Sequence, residues 1–219
     1  MSGPEHATPD GPDTQPTRGP VTIAIDGPAG SGKSTLSRAL ADRLGLQRLD
    51  TGAMYRSVAW AVLRAGTDPA DGGAVAEVAR TLHLEVGDRV VADGTDVTGA
   101  IRGPEVSAAV SAVAANPAVR AVMVERQRAW VAEHGGGVVE GRDIGSVVLP
   151  DADLKLYLTA SPEVRAARRS EEGAAAVARR DRLDSTRAAS PLEVPDGARV
   201  IDTGTLGVDE IVDEVVAWL

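Results

Sequence analysis

The octapeptide GPAGSGKS at residues 27–34 satisfies G-x-x-x-x-G-K-[ST] at every fixed position, between the apolar run VTIAI and the helix-periodic stretch LSRALADRL. That order of strand, glycine-rich loop and helix constrains the fold more than any other feature of the chain. Small residues let consecutive backbone N–H groups turn inward around a phosphate, and the following helix adds the positive end of its dipole. The segment running through Gly27, Pro28, Ala29, Gly30, Ser31, Gly32, Lys33, Ser34 and Thr35 is therefore expected to bind a nucleoside triphosphate, ATP being the donor considered. Lys33 supplies a positive charge for the β and γ phosphates, and the Ser34 hydroxyl suits Mg²⁺.

The remaining chain alternates short apolar runs with longer amphipathic stretches, the pattern of an α/β domain with a central parallel sheet. Strands are expected at 21–25, near LQRLD, at GGVVEG, at DLKLYLT and at ARVIDT, with a helix from Thr51 to about Arg64 and a closing helix in VDEIVDEVVAWL. Between about 67 and 102 the alternation breaks: DPADGGAVAEVARTL reads as a helix, and HLEVGDRVVADGTDVTG as short strands separated by GD and DG turns. That stretch reads as an insertion on the parent fold. Two helices, PEVSAAVSAVAAN and PAVRAVMVERQRAWVAEH, follow it. In SPEVRAARR, Ser161 can cap and Pro162 suits the first helical position. Residues 1–20 are rich in Pro, Gly, Asp and Thr and read as a disordered leader, and about 168–190 read as an exposed, charged flap.

Composition narrows the function. Aromatic residues make up 2% of the chain and Phe is absent, so the core must rest on Val, Leu, Ile and Ala, and no groove of stacking rings is expected. A net charge of −9 opposes broad affinity for nucleic acid or an anionic membrane. With no cysteine there is no disulfide, zinc–thiolate site or thiol nucleophile. No long apolar span or apolar signal core is evident, so a cytoplasmic protein is expected, without membrane or nucleic-acid partners; a monomer is the expected state, although nothing in the sequence reports oligomeric state.

A phosphate loop does not by itself name a reaction. No Asn-Lys-x-Asp guanine-reading motif is found, and VVEG with Glu140 only partly matches the acidic strand end of a motor ATPase. Arginines instead recur beside turn residues: Arg56, Arg102, Arg120, Arg142, Arg180 and Arg187. Local cations interleaved with acids on an acidic protein suit a second, small phosphate-bearing substrate. Taken singly, Arg56 and Arg120 also fit solvated helix faces, Asp143 a turn cap, and Arg180 and Arg187 a charged helix. His83 and His134 have no partner spacing for metal or acid–base chemistry, and Trp60, Trp130 and Trp218 read as packing residues.

The segments IDGPAGSGKST, LDTGAMYR, DVTGAIR, VEGRDIGSVVLPDADLKLYL and RRDRLDSTRAASPL together resemble the bacterial cytidylate kinases, a family of nucleoside monophosphate kinases, from about Val21 to the C-terminus. The resemblance implies a three-layer P-loop fold with an inserted monophosphate-binding region at about 67–102 and a mobile lid at about 168–190. It implies transfer of the ATP γ-phosphoryl group to CMP or dCMP with Mg²⁺. Thr51 and Arg56 would meet the acceptor nucleotide, Arg56 at its phosphate. Ser111, Arg120 and Asp143 would read cytosine, and Arg142 and Arg180 would hold phosphate oxygens in catalysis beside Lys33. Asp184 and Arg187 would reach the sugar and base. The segment RRSEEGAAAVARRD is shorter than its counterpart in many relatives, and it holds Arg168 and Arg169, possible contacts on the ATP side. Other readings are a kinase for UMP, AMP or a small metabolite, and a nucleotide-binding regulator with little turnover.

Overall fold

The computed structural model describes residues 21–168 and 192–219. Five strands, β1 (Thr22–Asp26), β2 (Arg48–Asp50), β6 (Gly137–Glu140), β7 (Leu154–Thr159) and β8 (Arg199–Asp202), form one sheet in the order β2-β6-β1-β7-β8. Every neighbouring pair in it is parallel. Strand β1 is central, and its period-2 alternation sorts the core. Ile23 and Ile25 belong to one apolar cluster, with Leu36 and Leu40 of α1 (Lys33–Leu44) and Ile211 and Val215 of α7 (Val208–Trp218). Ala24 belongs to the other, with Val58 and Val62 of α2 (Thr51–Arg64), Val113 of α4 (Pro104–Ala115) and Met123 of α5 (Pro117–His134). Two layers of helices thus cover a sheet buried on both faces, the arrangement that near-continuous apolar strands require.

In the 67–102 stretch lie α3 (Gly72–Thr81) and a separate antiparallel sheet of β3 (Leu84–Val86), β4 (Val90–Ala92) and β5 (Thr95–Asp96). Strands β4 and β5 are joined at Asp93 and Gly94, with φ of 46° and 73°, the left-handed pair that a tight two-residue hairpin favours. Helix α6 (Pro162–Ala167) starts as its sequence indicates, with Ser161 Oγ accepting from the Val164 N–H at 3.3 Å. No single helix among the described residues is long and apolar enough to cross a membrane; α4 and α5 would be so only as a pair, bent by 92° at their junction.

The parallel sheet brings the carboxyl ends of β1, β2, β6 and β7 to one edge, where open α/β folds place ligands. Asp26, Asp50 and Glu140 terminate three of these strands. A five-residue π-helical turn, Ile144–Val148, follows β6 after the short segment 141–143 and is not foreseen from the sequence pattern.

Candidate active site

The loop between β1 and α1 forms a cradle that side chains would fill. A Cβ at Gly27 (φ 146°) would lie 2.2 Å from the Leu158 carbonyl oxygen, and one at Gly30 (φ 76°) 2.7 Å from that of Arg165. Gly32, at φ 89°, leads into α1. The Ser31 hydroxyl is buried without a protein partner, a polar atom that suits a phosphate oxygen. Lys33 Nζ donates to the carbonyls of Gly27 and Pro28 at 2.7 and 2.9 Å. Arg165 and Arg168 reach the same loop from α6 and the residue after it. Arg165 Nη1 donates to the Ala29 carbonyl at 3.3 Å, and Arg168 Nη1 to that of Gly30 at 3.4 Å and to Thr203 Oγ1 at 2.8 Å.

Behind Ser34 stands a carboxylate to which the sequence reading gives no role. Ser34 Oγ donates to Glu140 Oε2 at 2.9 Å, while Ser37 Oγ and Arg48 Nη1 each donate to Oε1 at 3.1 Å. The alternation of β6 explains the direction, since Glu140 shares a strand face with Val138, which packs toward α1. Burial pushes the Glu140 carboxyl above its ordinary range, and neighbouring Asp50 adds to the effect; Lys33, the Ser34 hydroxyl and Arg48 oppose it. An oxygen-rich corner made of a hydroxyl, an acidic side chain and a phosphate cradle has the chemistry of a Mg²⁺–nucleotide site.

A cleft opens from Lys33 and Ser34 across the sheet edge, and its walls include Thr51, Arg56, Ser111, Arg120, Arg142 and Asp143. The structure therefore brings together every candidate acceptor residue that falls within the described part. Arg180, Asp184 and Arg187 lie outside it, as does Arg169. Thr51, which opens α2, donates from Oγ1 to the Glu140 carbonyl at 2.7 Å. Arg56 is half-buried, its Nη1 held by the Ile101 carbonyl and Ser107 Oγ, both at 2.9 Å. Arg142 Nη1 donates to the Gly27 carbonyl at 2.5 Å, which ties the segment after β6 to the phosphate loop.

At the far end of the cleft Arg120 and Asp143 form an ion pair, each 5% exposed. Arg120 also lies 5.9 Å from the Tyr55 ring centroid. Asp143 occupies the N-cap position of the π-helical turn but makes no capping bond. Asp26 of β1 takes that role: the N–H groups of Ile144 and Gly145 donate to its Oδ1 and Oδ2 at 2.8 and 2.7 Å. Burial drives the Asp26 carboxyl up to about 6, against those two backbone bonds; Asp143 pushes it further up and Lys33 pulls it down.

The cytidylate kinase family model matches residues 23–219. The chain belongs to the cytidylate kinase family. Among its relatives, the cytidylate kinase of Mycobacterium leprae is 51% identical over 205 residues, 88% of this chain and 92% of that protein. That of Corynebacterium glutamicum is 49% identical over 215 residues, 90% and 94% of the two chains. The structure is also similar to a gluconokinase from Sinorhizobium meliloti, at a TM-score of 0.50, 18% identity and 91% coverage of each chain, a likeness of fold.

In the sequence, Asp26 goes unread and Glu140 registers only as a partial match to an acidic strand end, for a common reason. Each is a single acid ending an apolar strand, and the side-chain partners described above stand more than 90 positions away in sequence. The only local signal is an acid that closes an otherwise apolar run.

Proposed function

We infer that the protein transfers the γ-phosphoryl group of ATP to CMP or dCMP, giving ADP and the corresponding diphosphate, as a monomer in the cytoplasm. The observation that carries this reading is the single cleft joining the phosphate loop to the buried Arg120–Asp143 pair. Cytosine presents an amino donor at C4 beside an acceptor at N3. The Asp143 carboxylate can accept from the amino group, and Arg120 can donate to the ring nitrogen. Uracil presents the reverse pattern and would leave desolvated charges mismatched. Membership of the cytidylate kinase family supports the same choice.

Phosphoryl transfer asks a protein mainly for alignment and charge neutralisation. The loop amides and Lys33 would hold the donor phosphates, while Arg56 and Arg142 would hold the acceptor phosphate in line. Ser34, fixed by Glu140, would hold Mg²⁺. The ion would supply positive charge to the β and γ oxygens during transfer. Thr51 and Ser111 would contact the acceptor nucleotide from the cleft wall. Arg180, Asp184 and Arg187 are assigned from the family pattern alone, Arg180 to the oxygens in transit and the other two to the acceptor.

A coupled ADP-release assay with CMP, dCMP, UMP, AMP and no acceptor tests the reading. Turnover that depends on CMP or dCMP supports it. Equal turnover without acceptor, or with every monophosphate, overturns it.

A further inference from the structure

The turn that follows Asp143 is capped from a distance. The first N–H groups of a helical turn have no partner within it, and an Asp at the N-cap position ordinarily accepts from them. Asp143 holds that position, with φ −147° and ψ 29°, yet its carboxylate turns away to Arg120. Asp26, which is fully buried, supplies both of its oxygens in place of that cap, one to each of Ile144 and Gly145. The alternation of β1 makes this possible, because Asp26 follows Ala24 on the sheet face that packs against Ile144.

We propose that Asp26 is a positioning residue for base selection: by capping the Ile144–Val148 turn in trans, it releases the Asp143 carboxylate to pair with Arg120 and read the acceptor base. Without it, Asp143 has two orphaned N–H groups beside it and folds back onto its own turn as a local cap. Arg120 then loses its carboxylate partner, and Arg142, one residue before Asp143, loses its register with the Gly27 carbonyl. The role rests on the proposed function, since it refines how that site chooses its base.

Asp26→Asn tests it, because an amide can accept from one of the two N–H groups but turns an NH₂ toward the other. Specificity constants for CMP and UMP should show the CMP preference falling at least about tenfold, with KM for CMP raised, while calorimetric ATP affinity stays within about threefold. Val215→Ala, a core substitution in α7 on the opposite side of the sheet, should lower the melting temperature and leave the preference intact. A folded Asp26→Asn protein with an unchanged CMP-to-UMP ratio overturns the role. If the wild type itself shows no CMP preference, the functional reading fails first. Amide hydrogen exchange on the wild type decides the matter even where the variant does not fold. The Ile144 and Gly145 amides should be protected equally with and without CMP. Protection that arises only on CMP binding would mean that substrate, not Asp26, orders the turn, and would overturn the proposal.

Discussion

Ser34 Oγ and Glu140 Oε2 lie 2.9 Å apart, so the hydroxyl expected to meet Mg²⁺ is oriented by a buried carboxylate at the end of β6. Partners that orient a metal-facing ligand typically change metal affinity 10–100-fold when removed. Glu140→Gln should therefore raise the Mg²⁺ concentration for half-maximal rate by at least about tenfold, while the circular dichroism spectrum is preserved. An unchanged Mg²⁺ dependence would confine Glu140 to holding Arg48 and Ser37.

Lys33→Ala should reduce kcat by about a hundredfold or more, in line with lost transition-state electrostatics. Its Nζ donates to the loop carbonyls of Gly27 and Pro28 and it belongs to neither apolar cluster, so the melting temperature should move little. Steady-state kinetics with a thermal melt separates the two effects. A rate within threefold of wild type would remove Lys33 from the reaction.

Arg56 and Asp143 should fail in different ways. Arg56→Ala should depress the specificity constants for CMP and UMP alike, since a phosphate contact carries no base information. Asp143→Asn should lower the CMP-to-UMP ratio, which in the wild type is expected at about 10² to 10³ for a partly wet site built on hydrogen-bond readout. Because Asp143 leaves the buried Arg120 without its carboxylate when replaced, some loss of stability should accompany the change. Equal losses for both nucleotides in Asp143→Asn would show that the pair serves packing and not the base.

Stability should carry a signature of Asp26. Its folded-state pKa is raised from 3.8 to about 6, so the native protein retains a proton that the unfolded chain releases earlier. The contribution of this group is most favourable below about pH 4, is lost as pH rises toward 6, and is level above that. The full span corresponds to about 3 kcal/mol at 1.36 kcal/mol per pKa unit. Denaturant unfolding from pH 4 to 8 should show wild type losing stability relative to Asp26→Asn across that window. A difference between the two that is independent of pH would mean that Asp26 titrates alike in both states.

Much of the architecture is legible in the sequence because local rules and tertiary placement agree. The Gly27–Ser34 pattern, the Ser161–Pro162 helix start and the Asp93–Gly94 turn each depend on residues a few positions apart. The cleft is different. Arg56 on α2, Arg120 on α5 and Asp143 after β6 meet only through the sheet order, and it is family likeness, not spacing, that groups them beforehand. The turn at Ile144–Val148 is too short for a periodic signal, and the bonds that cap it link positions 118 and 119 residues apart. Strand-end acids such as Glu140 look like ordinary punctuation until the parallel sheet aligns them.

The Gly27 carbonyl oxygen accepts from both Lys33 and Arg142, at 2.7 and 2.5 Å. Two cations from distant parts of the chain are thereby gathered at one neutral atom. An arriving phosphate replaces a dipole with a full negative charge, so the strongest attraction in the site becomes available at the moment the anion enters. The loop's own backbone then acts as a placeholder for substrate oxygens. It keeps the two positive groups close to their working positions, so that the cost of gathering like charges is met during folding and need not be met again at each turnover.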